Sequence, residues 1–341
     1  MKMTIDYRSD TFTRPTPGML QAMAEAETGD DVFGEDPSVN RLEAMMAEFF
    51  GKAAGLYCPS GTMSNQVAIK AHTLPGDEVI CGHQAHVYIY EGGGIAFNAG
   101  AQVHPIHGER GMINASEVAA AVNPDDVHKA RTSLVCLENT SNRGGGCCYD
   151  WEEMVKIKSV CEENKLALHL DGARLFNALI ATRQDPKAYG SVFDSISVCL
   201  NKGMGCPMGS VLLGSEAFIR EARRIRKKFG GGLRQAGYMA ATGIYALENH
   251  LQRLEEDHIH AKQIANALLE KTFTGHMLPV ETNILIFEVL GAWNPVSFTE
   301  HLKREGIKVM PISSTQVRMV THLDITPEMV ARTCEVIEGM A

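Results

Sequence analysis

The chain has 341 residues, 45% hydrophobic and 21% charged, which is material for two domains and lies well away from disordered or collagen-like composition. Its 32 basic and 41 acidic residues leave a net charge of −9, a sign that repels nucleic acid and anionic membrane and argues against polyanionic partners. The opening MKMTIDYRSD places acidic residues ahead of any apolar run of signal length, and no stretch approaches the ~18 apolar residues of a membrane span. A cytoplasmic protein without a membrane partner is expected. Nine cysteines without CxxC pairs, six of them (Cys58, Cys81, Cys136, Cys161, Cys199, Cys334) in apolar or helical stretches, read as free core thiols rather than disulfides or a zinc cage.

From residue 55 to 215 short apolar runs alternate with amphipathic ones. Predicted strands Gly55–Pro59, Glu78–Cys81, Gln102–Ile106, Ser133–Leu137, Leu166–Leu170, Ser195–Leu200 and Ser210–Leu213 are interleaved with helices Ser64–Leu74, His86–Asn98, Ala115–Val122 and Trp151–Asn164. Asn114 with Glu117, and Asp150 with Glu153, match the capping-box signature. The alternation predicts an α/β fold, a mainly parallel sheet with helices on both faces. Helical segments Glu216–Lys228 and Gln235–Lys271 follow. Then come strand Asn283–Val289, helix Val296–Glu305, strands Ile307–Met310 and Gln316–Thr321, and helix Pro327–Glu338, whose Thr326 and Pro327 form an N-cap and N1 pair. This reads as an N-terminal arm (1–15), a large domain (16–245) and a small C-terminal α+β domain (246–341) joined by a long helix.

Three segments carry chemistry. In Ser197-Val198-Cys199-Leu200-Asn201-Lys202-Gly203 a lysine ends an apolar strand, where partial burial favours Schiff-base chemistry, although a strand-end lysine also snorkels without function. In Leu166–Arg174 an apolar strand ends on Asp171, at the strand edge where open α/β sheets bind ligands; an Asp there also caps turns. The two lie 31 residues apart on successive strands. A pyridoxal 5′-phosphate site needs this pair, a lysine for the aldehyde and an anion for the pyridinium nitrogen. Third, Ser60-Gly61-Thr62 joins a strand to a helix, and its hydroxyls and free helical N–H groups make a phosphate cradle or a plain N-cap.

Other patterns carry less. Gly203–Gly209 misses the dinucleotide-binding GxGxxG by one residue, which disfavours a nicotinamide dehydrogenase. His83/His86 and His104/His107 are spaced HxxH but lack a third ligand, so no metal is expected. The basic run Arg220–Lys228 reads as a solvated helix face.

Taken together these residues resemble the L-threonine aldolases, pyridoxal-phosphate enzymes of the aspartate-aminotransferase fold (fold type I). The similarity spans nearly the whole chain: Tyr7–Pro15, Gly29–Pro37, Ser60-Gly61-Thr62, His86 with Glu91-Gly92-Gly93, Leu137–Thr140, His169–Arg174, Asn201-Lys202-Gly203, Gly230–Gln235 and Val317–His322. The resemblance implies that Lys202 holds the cofactor, Asp171 its ring nitrogen, and Ser60, Gly61 and Thr62 its phosphate. It places His86 over the ring, Arg174 near the cofactor, and Ser9, Arg174 and Arg318 on the substrate carboxylate. The implied reaction is retro-aldol cleavage of L-threonine or L-allo-threonine to glycine and acetaldehyde, with His86 and His128 as candidates to contact the β-hydroxyl. A homotetramer built from dimers is implied too, in which Arg234 or Lys228 reaches a neighbour's phosphate.

The chain departs from many relatives at Phe33 (Tyr), Asn201 (Ser) and Ser141 (His). A β-eliminating lyase would use the same Lys202 and Asp171 but release ammonia and a keto acid, and a non-catalytic cofactor-binding scaffold would be expected to lack the lysine.

Overall fold

The computed structural model describes residues 4–340. The first three residues of the expected arm and the last of the expected C-terminal domain lie outside them. After β1 (Ile5–Asp6), seven strands build the central sheet: β2 (Ala54–Cys58), β3 (Glu78–Gly82), β4 (Gln102–Ile106), β5 (Thr132–Glu138), β6 (Ala167–Gly172), β7 (Ser195–Cys199) and β8 (Ser210–Gly214). Their order is β2-β8-β7-β6-β5-β3-β4, and β8 alone among them pairs antiparallel to both neighbours. Each of the seven lies where the apolar runs predict it.

Both faces of the sheet are dry, so alternate residues of one strand enter different cores. Val135, Leu137, Leu168 and Leu170 pack with helices Pro37–Phe49, Ala115–Ala121, Trp151–Glu163 and Gly237–Asn249. Leu56, Cys58 and Leu212 pack on the opposite side with helices Gly61–His72 and Glu216–Lys228. Glu138, Asp171, Ser197 and Leu212 are register partners in one row across β5, β6, β7 and β8. Asp171 therefore shares its face with helix Gly61–His72, the helix that starts at the phosphate-cradle segment.

Strands β9 (Thr274–Met277), β10 (Ile284–Val289), β11 (Ile307–Lys308), β12 (Met310–Pro311) and β13 (Gln316–Val320) follow. Four of them form an antiparallel sheet, β12-β13-β10-β9, over a second core shared with helices Leu254–Leu269, Pro295–Arg304 and Pro327–Glu338. β1 pairs parallel with β11, and the Tyr7 hydroxyl is 2.9 Å from Thr333 Oγ1. The N-terminal segment is thus fastened to the small unit.

Several expectations need correction. The helical segment Gln235–Lys271 is two helices, Gly237–Asn249 and Leu254–Leu269, separated by a turn at residues 250–253 in which buried His250 places its ring 2.8 Å from the Met204 carbonyl. Helix His86–Asn98 ends at Ile89, since Gly92 and Gly93 adopt positive φ (62° and 72°), and resumes as a π-turn at Ile95–Ala99. Asn114 and Glu117 form a full capping box; Asp150 caps its helix, but Glu153 instead accepts from the Ala115 N–H at 2.7 Å and so joins two helices. The basic helix is not wholly solvated: Arg226 is buried, donating to the Tyr57 carbonyl at 2.5 Å and to Asp31 at 2.7 Å. Helices Pro17–Ala24, Pro37–Phe49, Leu175–Thr182 and Pro186–Val192 and strand β9 went unread in the sequence. All nine cysteines are free, and among the described residues no helix is long and apolar enough to cross a membrane.

Asp36 ties the N-terminal segment to the helical layer. It caps helix Pro37–Phe49 through the Val39 N–H (3.0 Å) and, fully buried, also accepts from the N–H groups of Gly29 (3.2 Å) and Gly237 (2.9 Å). Asp36→Ala strands three donors and should lower unfolding free energy by roughly 2–4 kcal/mol in urea titrations. A loss under about 0.5 kcal/mol would show that water replaces the carboxylate without penalty.

Candidate active site

Parallel strands present their carboxyl ends along one edge, and the charged groups gather there. Asp171 is 2% exposed; its Oδ1 accepts from the Ala173 N–H at 3.1 Å, while its Oδ2 is buried with no hydrogen-bond partner. Beside it in register, Glu138 accepts the His86 N–H on Oε2 (2.7 Å) and the Asn142 N–H on Oε1 (2.9 Å). Burial, and then the neighbouring Asp171, raise the Glu138 carboxyl above the usual carboxylate range.

His86 opens a short helix (His86–Ile89) and is held at Nδ1 by Glu91 Oε1, 2.9 Å away. Burial works against its charged form, but the Glu91 hydrogen bond and nearby Asp171 outweigh it, and the imidazole titrates above its ordinary value. Glu91 itself receives Asn65 Nδ2 (2.9 Å) and Gln66 Nε2 (2.6 Å). Behind them, His169 Nε2 lies 3.1 Å from Asn65 Oδ1 and His169 Nδ1 lies 2.8 Å from Ser195 Oγ. An amide oxygen only accepts, so Nε2 carries the proton and Nδ1 accepts from the serine. Burial holds His169 neutral, down to about 3. A buried chain of hydrogen bonds from β7 thus fixes the orientation of the His86 ring. The ligand atoms of His86, Glu91 and Asp171 lie within 4.8 Å of one another.

Helix Gly61–His72 begins at this edge. Ser60 caps it by accepting the Met63 N–H at 3.2 Å, and Ser64 Oγ bonds Ser197 Oγ and Ser210 Oγ, which seats the helix on β7 and β8. A Cβ at Gly61 would come within 2.4 Å of Cys199 Sγ, so this start must be glycine. The N–H groups of Gly61 and Thr62 lie in the first turn, where no intrahelical acceptor exists. Lys202 stands three residues beyond β7, its carbonyl bonded by Thr13 Oγ1 (3.2 Å) and the Gly205 N–H (2.8 Å), and its Nζ lies 3.5 Å from Cys199 Sγ.

The far wall comes from the N-terminal segment and β13. Arg174 forks onto Asp10, both bonds 2.7 Å and both residues buried. Burial would raise the Asp10 carboxyl, but Arg174 overrides it and holds it down to about 2. Ser9 caps the 3-10 turn Asp10–Phe12. Arg318 donates from Nη1 to Asn142 Oδ1 (3.0 Å) and from Nη2 to the Arg8 carbonyl (3.2 Å), while its Nε is buried without a partner. It meets no carboxylate, and burial, then the charge of Arg174, pull it down to about 10. Ser9, His86, Glu138, Arg174, Lys202 and Arg318 all line one cleft of about 300 Å³.

Pyridoxal phosphate fits these residues: Asp171 Oδ2 is a buried acceptor awaiting a donor, Lys202 is an amine at the same edge, and the Ser60–Thr62 turn offers N–H groups to an anion. Arg174 is where the sequence expects it, but two of its donor nitrogens are spent on Asp10 and only Nη1 remains for a ligand. His128 is not in the cleft. It lies before β5, at the opposite edge of the sheet, exposed and 2.8 Å from Asp126. Arg234 also lies outside the cleft of its own chain, exposed and 2.7 Å from Asp30. Of the HxxH pairs, the His83 ring packs on His107 (centroids 4.1 Å apart), and His104 sits 3.5 Å from Glu78. The departures divide: Phe33 is exposed, Ser141 Oγ donates to the Arg110 carbonyl at 2.8 Å, and Asn201 leaves a buried Oδ1 without a partner beside Lys202. Asp10, Glu91, Glu138 and Asn142 were missed as site residues. A carboxylate in the last position of an apolar strand, as at Glu138, was the available signal.

Comparison with known proteins agrees with this geometry. The family model described as beta-eliminating lyase matches residues 6–290. The low specificity L-threonine aldolase of Escherichia coli K12 is 43% identical over 328 residues, 96% of each chain. That of Saccharomyces cerevisiae is 42% identical over 84% of this chain and 74% of its own. A Leishmania major threonine aldolase structure superposes with a TM-score of 0.85 over 98% of both chains at 20% identity, likeness that speaks to the fold. The chain belongs to the beta-eliminating lyase family, and relatives that match it over nearly its full length are named low-specificity L-threonine aldolases.

Proposed function

We propose that this protein is a pyridoxal-phosphate-dependent lyase that cleaves L-threonine and L-allo-threonine to glycine and acetaldehyde. The observation that carries the reading is a partnerless buried Asp171 Oδ2 at the sheet edge where a cleft is lined by Lys202 and by an arginine, Arg318, that meets no carboxylate. The names of the curated relatives support the same reading.

When bound, the cofactor supplies an electron sink for the Cα–Cβ bond that breaks. Lys202 would hold its aldehyde carbon, Asp171 Oδ2 would accept from its ring nitrogen, and the N–H groups of Gly61 and Thr62 with Ser60 would hold its phosphate. Arg318, with Ser9 and the free Nη1 of Arg174, grips the substrate carboxylate and so fixes which Cα bond faces the sink. His86 Nε2 takes the β-hydroxyl proton, because Nδ1 is occupied by Glu91. Since His128 and Arg234 lie outside their own chain's cleft, their roles need a neighbour: a homotetramer in which Arg234 reaches an adjacent phosphate. The exposed Phe12, Phe33, Tyr90 and Phe97 support association. Nine free thiols suit a reducing compartment and support a cytoplasmic location.

The purified yellow protein should yield equimolar glycine and acetaldehyde from either threonine isomer; ammonia and a keto acid instead would establish the β-eliminating alternative. Lys202→Ala should be inactive and lack the visible cofactor band, and a variant retaining both would remove Lys202 from its role.

A neutral His86 must accept the proton, so kcat/KM should fall on the acid side with a midpoint above 6.5, the direction of the His86 shift. Glu91→Gln removes the group that raises His86, so the limb should move to lower pH. An unmoved limb assigns the titration to another group. Light scattering that finds a fully active monomer would end the tetramer reading.

A further inference from the structure

The cleft holds more positive charge than one amino-acid carboxylate neutralises. Its inner anions are all engaged: Asp10 by the fork of Arg174, Glu138 by the N–H groups of His86 and Asn142, and Asp171 by a backbone N–H with one oxygen left toward the cofactor ring. Arg318 finds only neutral acceptors. Next along the wall is Arg143, half-buried and lining the cleft, with no hydrogen bond or ion pair among the described residues. It is close enough to Arg318 for its charge to disfavour the Arg318 cation.

The loop backbone that carries Arg143 is also held in place. The loop is closed by the Ser141 N–H to the Cys147 carbonyl (3.0 Å), the Gly146 N–H to the Ser141 carbonyl (2.9 Å) and the Gly144 N–H to Ser141 Oγ (3.3 Å). Arg110 Nε donates to the Gly144 carbonyl at 2.9 Å, and Ser141 Oγ returns a bond to the Arg110 carbonyl. The preceding residue, Asn142, touches Arg318 itself. A pinned loop that holds an unpaired guanidinium against a second one, in a cleft of about 300 Å³, is preorganised for an anion.

We propose that Arg143 forms a second anion subsite, and that this enzyme cleaves 3-hydroxy amino acids whose β-carbon bears an acidic group, releasing an aldehyde acid. The inference rests on the retro-aldol reading of the same site. With the α-carboxylate at Arg318 and the amino group toward Lys202, the β-substituent is the part of the substrate left to meet Arg143. For 3-hydroxyaspartate the Cα–Cβ bond breaks, the hydroxyl proton leaves to the base, and the hydroxyl-bearing carbon becomes the aldehyde of glyoxylate. The pair of electrons left at Cα takes up a proton, and glycine is released; no oxidant or further reactant is needed.

The test measures kcat/KM for 3-hydroxyaspartate, as both L-diastereomers, and for L-threonine, with glycine quantified in each. In the wild type 3-hydroxyaspartate should be cleaved at least as efficiently as L-threonine. Arg143→Ala should lower the ratio of the two kcat/KM values by roughly 10- to 100-fold, the loss of a hydrogen bond between charged groups, and Arg143→Lys should recover part of it. A folding defect affects both substrates and cancels in the ratio. A ratio unmoved by Arg143→Ala overturns the subsite while leaving threonine cleavage intact. A wild type that cleaves neither substrate overturns the reading of the reaction instead.

Discussion

A parallel sheet buried on both faces can accept a charged side chain only where its strands end, since a carboxylate in mid-strand would lose its hydration to hydrocarbon and gain nothing. Apolar and neutral polar side chains fill β5, β6 and β7, and the charges come together at their carboxyl ends, at Glu138 and Asp171 in one row and at Lys202 three residues beyond the end of β7. The same row chooses a side. It faces helix Gly61–His72, whose first turn supplies N–H groups, so the proposed ring-nitrogen acceptor and the proposed phosphate cradle share one face.

Crowding carboxylates creates a debt that the surrounding hydrogen bonds settle unevenly. Glu91 is satisfied by three side-chain donors and Glu138 by two backbone ones, while Asp171 keeps an oxygen with none. In the proposed reading, that remaining oxygen is where a protonated ring nitrogen would gain most from binding. The unmatched acceptor is thus a reservoir of binding energy rather than a packing fault. His86 is tuned by the same arrangement: the carboxylate that orients its ring raises its proton affinity, so geometry and basicity cannot be changed separately.

Periodicity made the large sheet legible, because seven apolar runs of strand length bounded by turns have few other readings, and Asp171 and Lys202 could be placed at their ends. It failed where tertiary contacts overrule local pattern. A turn interrupts a continuous helical pattern at His250, whose ring bonds a carbonyl 46 residues earlier, and Glu153 abandons its own cap for a neighbouring helix. Two of the site residues that went unread act through a partner distant in sequence. Asp10 matters because Arg174 lies 164 residues away, and Asn142 because Arg318 lies 176 away. His128 shows the converse, a residue type suited to the chemistry but carried at the wrong end of its strand.

The two structural units are coupled through these long-range pairs. Arg318 belongs to the small antiparallel sheet, yet it bonds Asn142, whose backbone N–H is held by Glu138 at the end of β5. The N-terminal segment runs between them, pairing with β11 at Ile5–Asp6 and reaching Arg174 through Asp10 four residues later. A shift of the small unit would therefore pull on Asn142, and through Glu138 on the His86 N–H. Arg318 and His86, the clamp and the base of the proposed reaction, are tied to the same side chain, Glu138. Glu138 makes that link with one oxygen on the His86 N–H and the other on the Asn142 N–H.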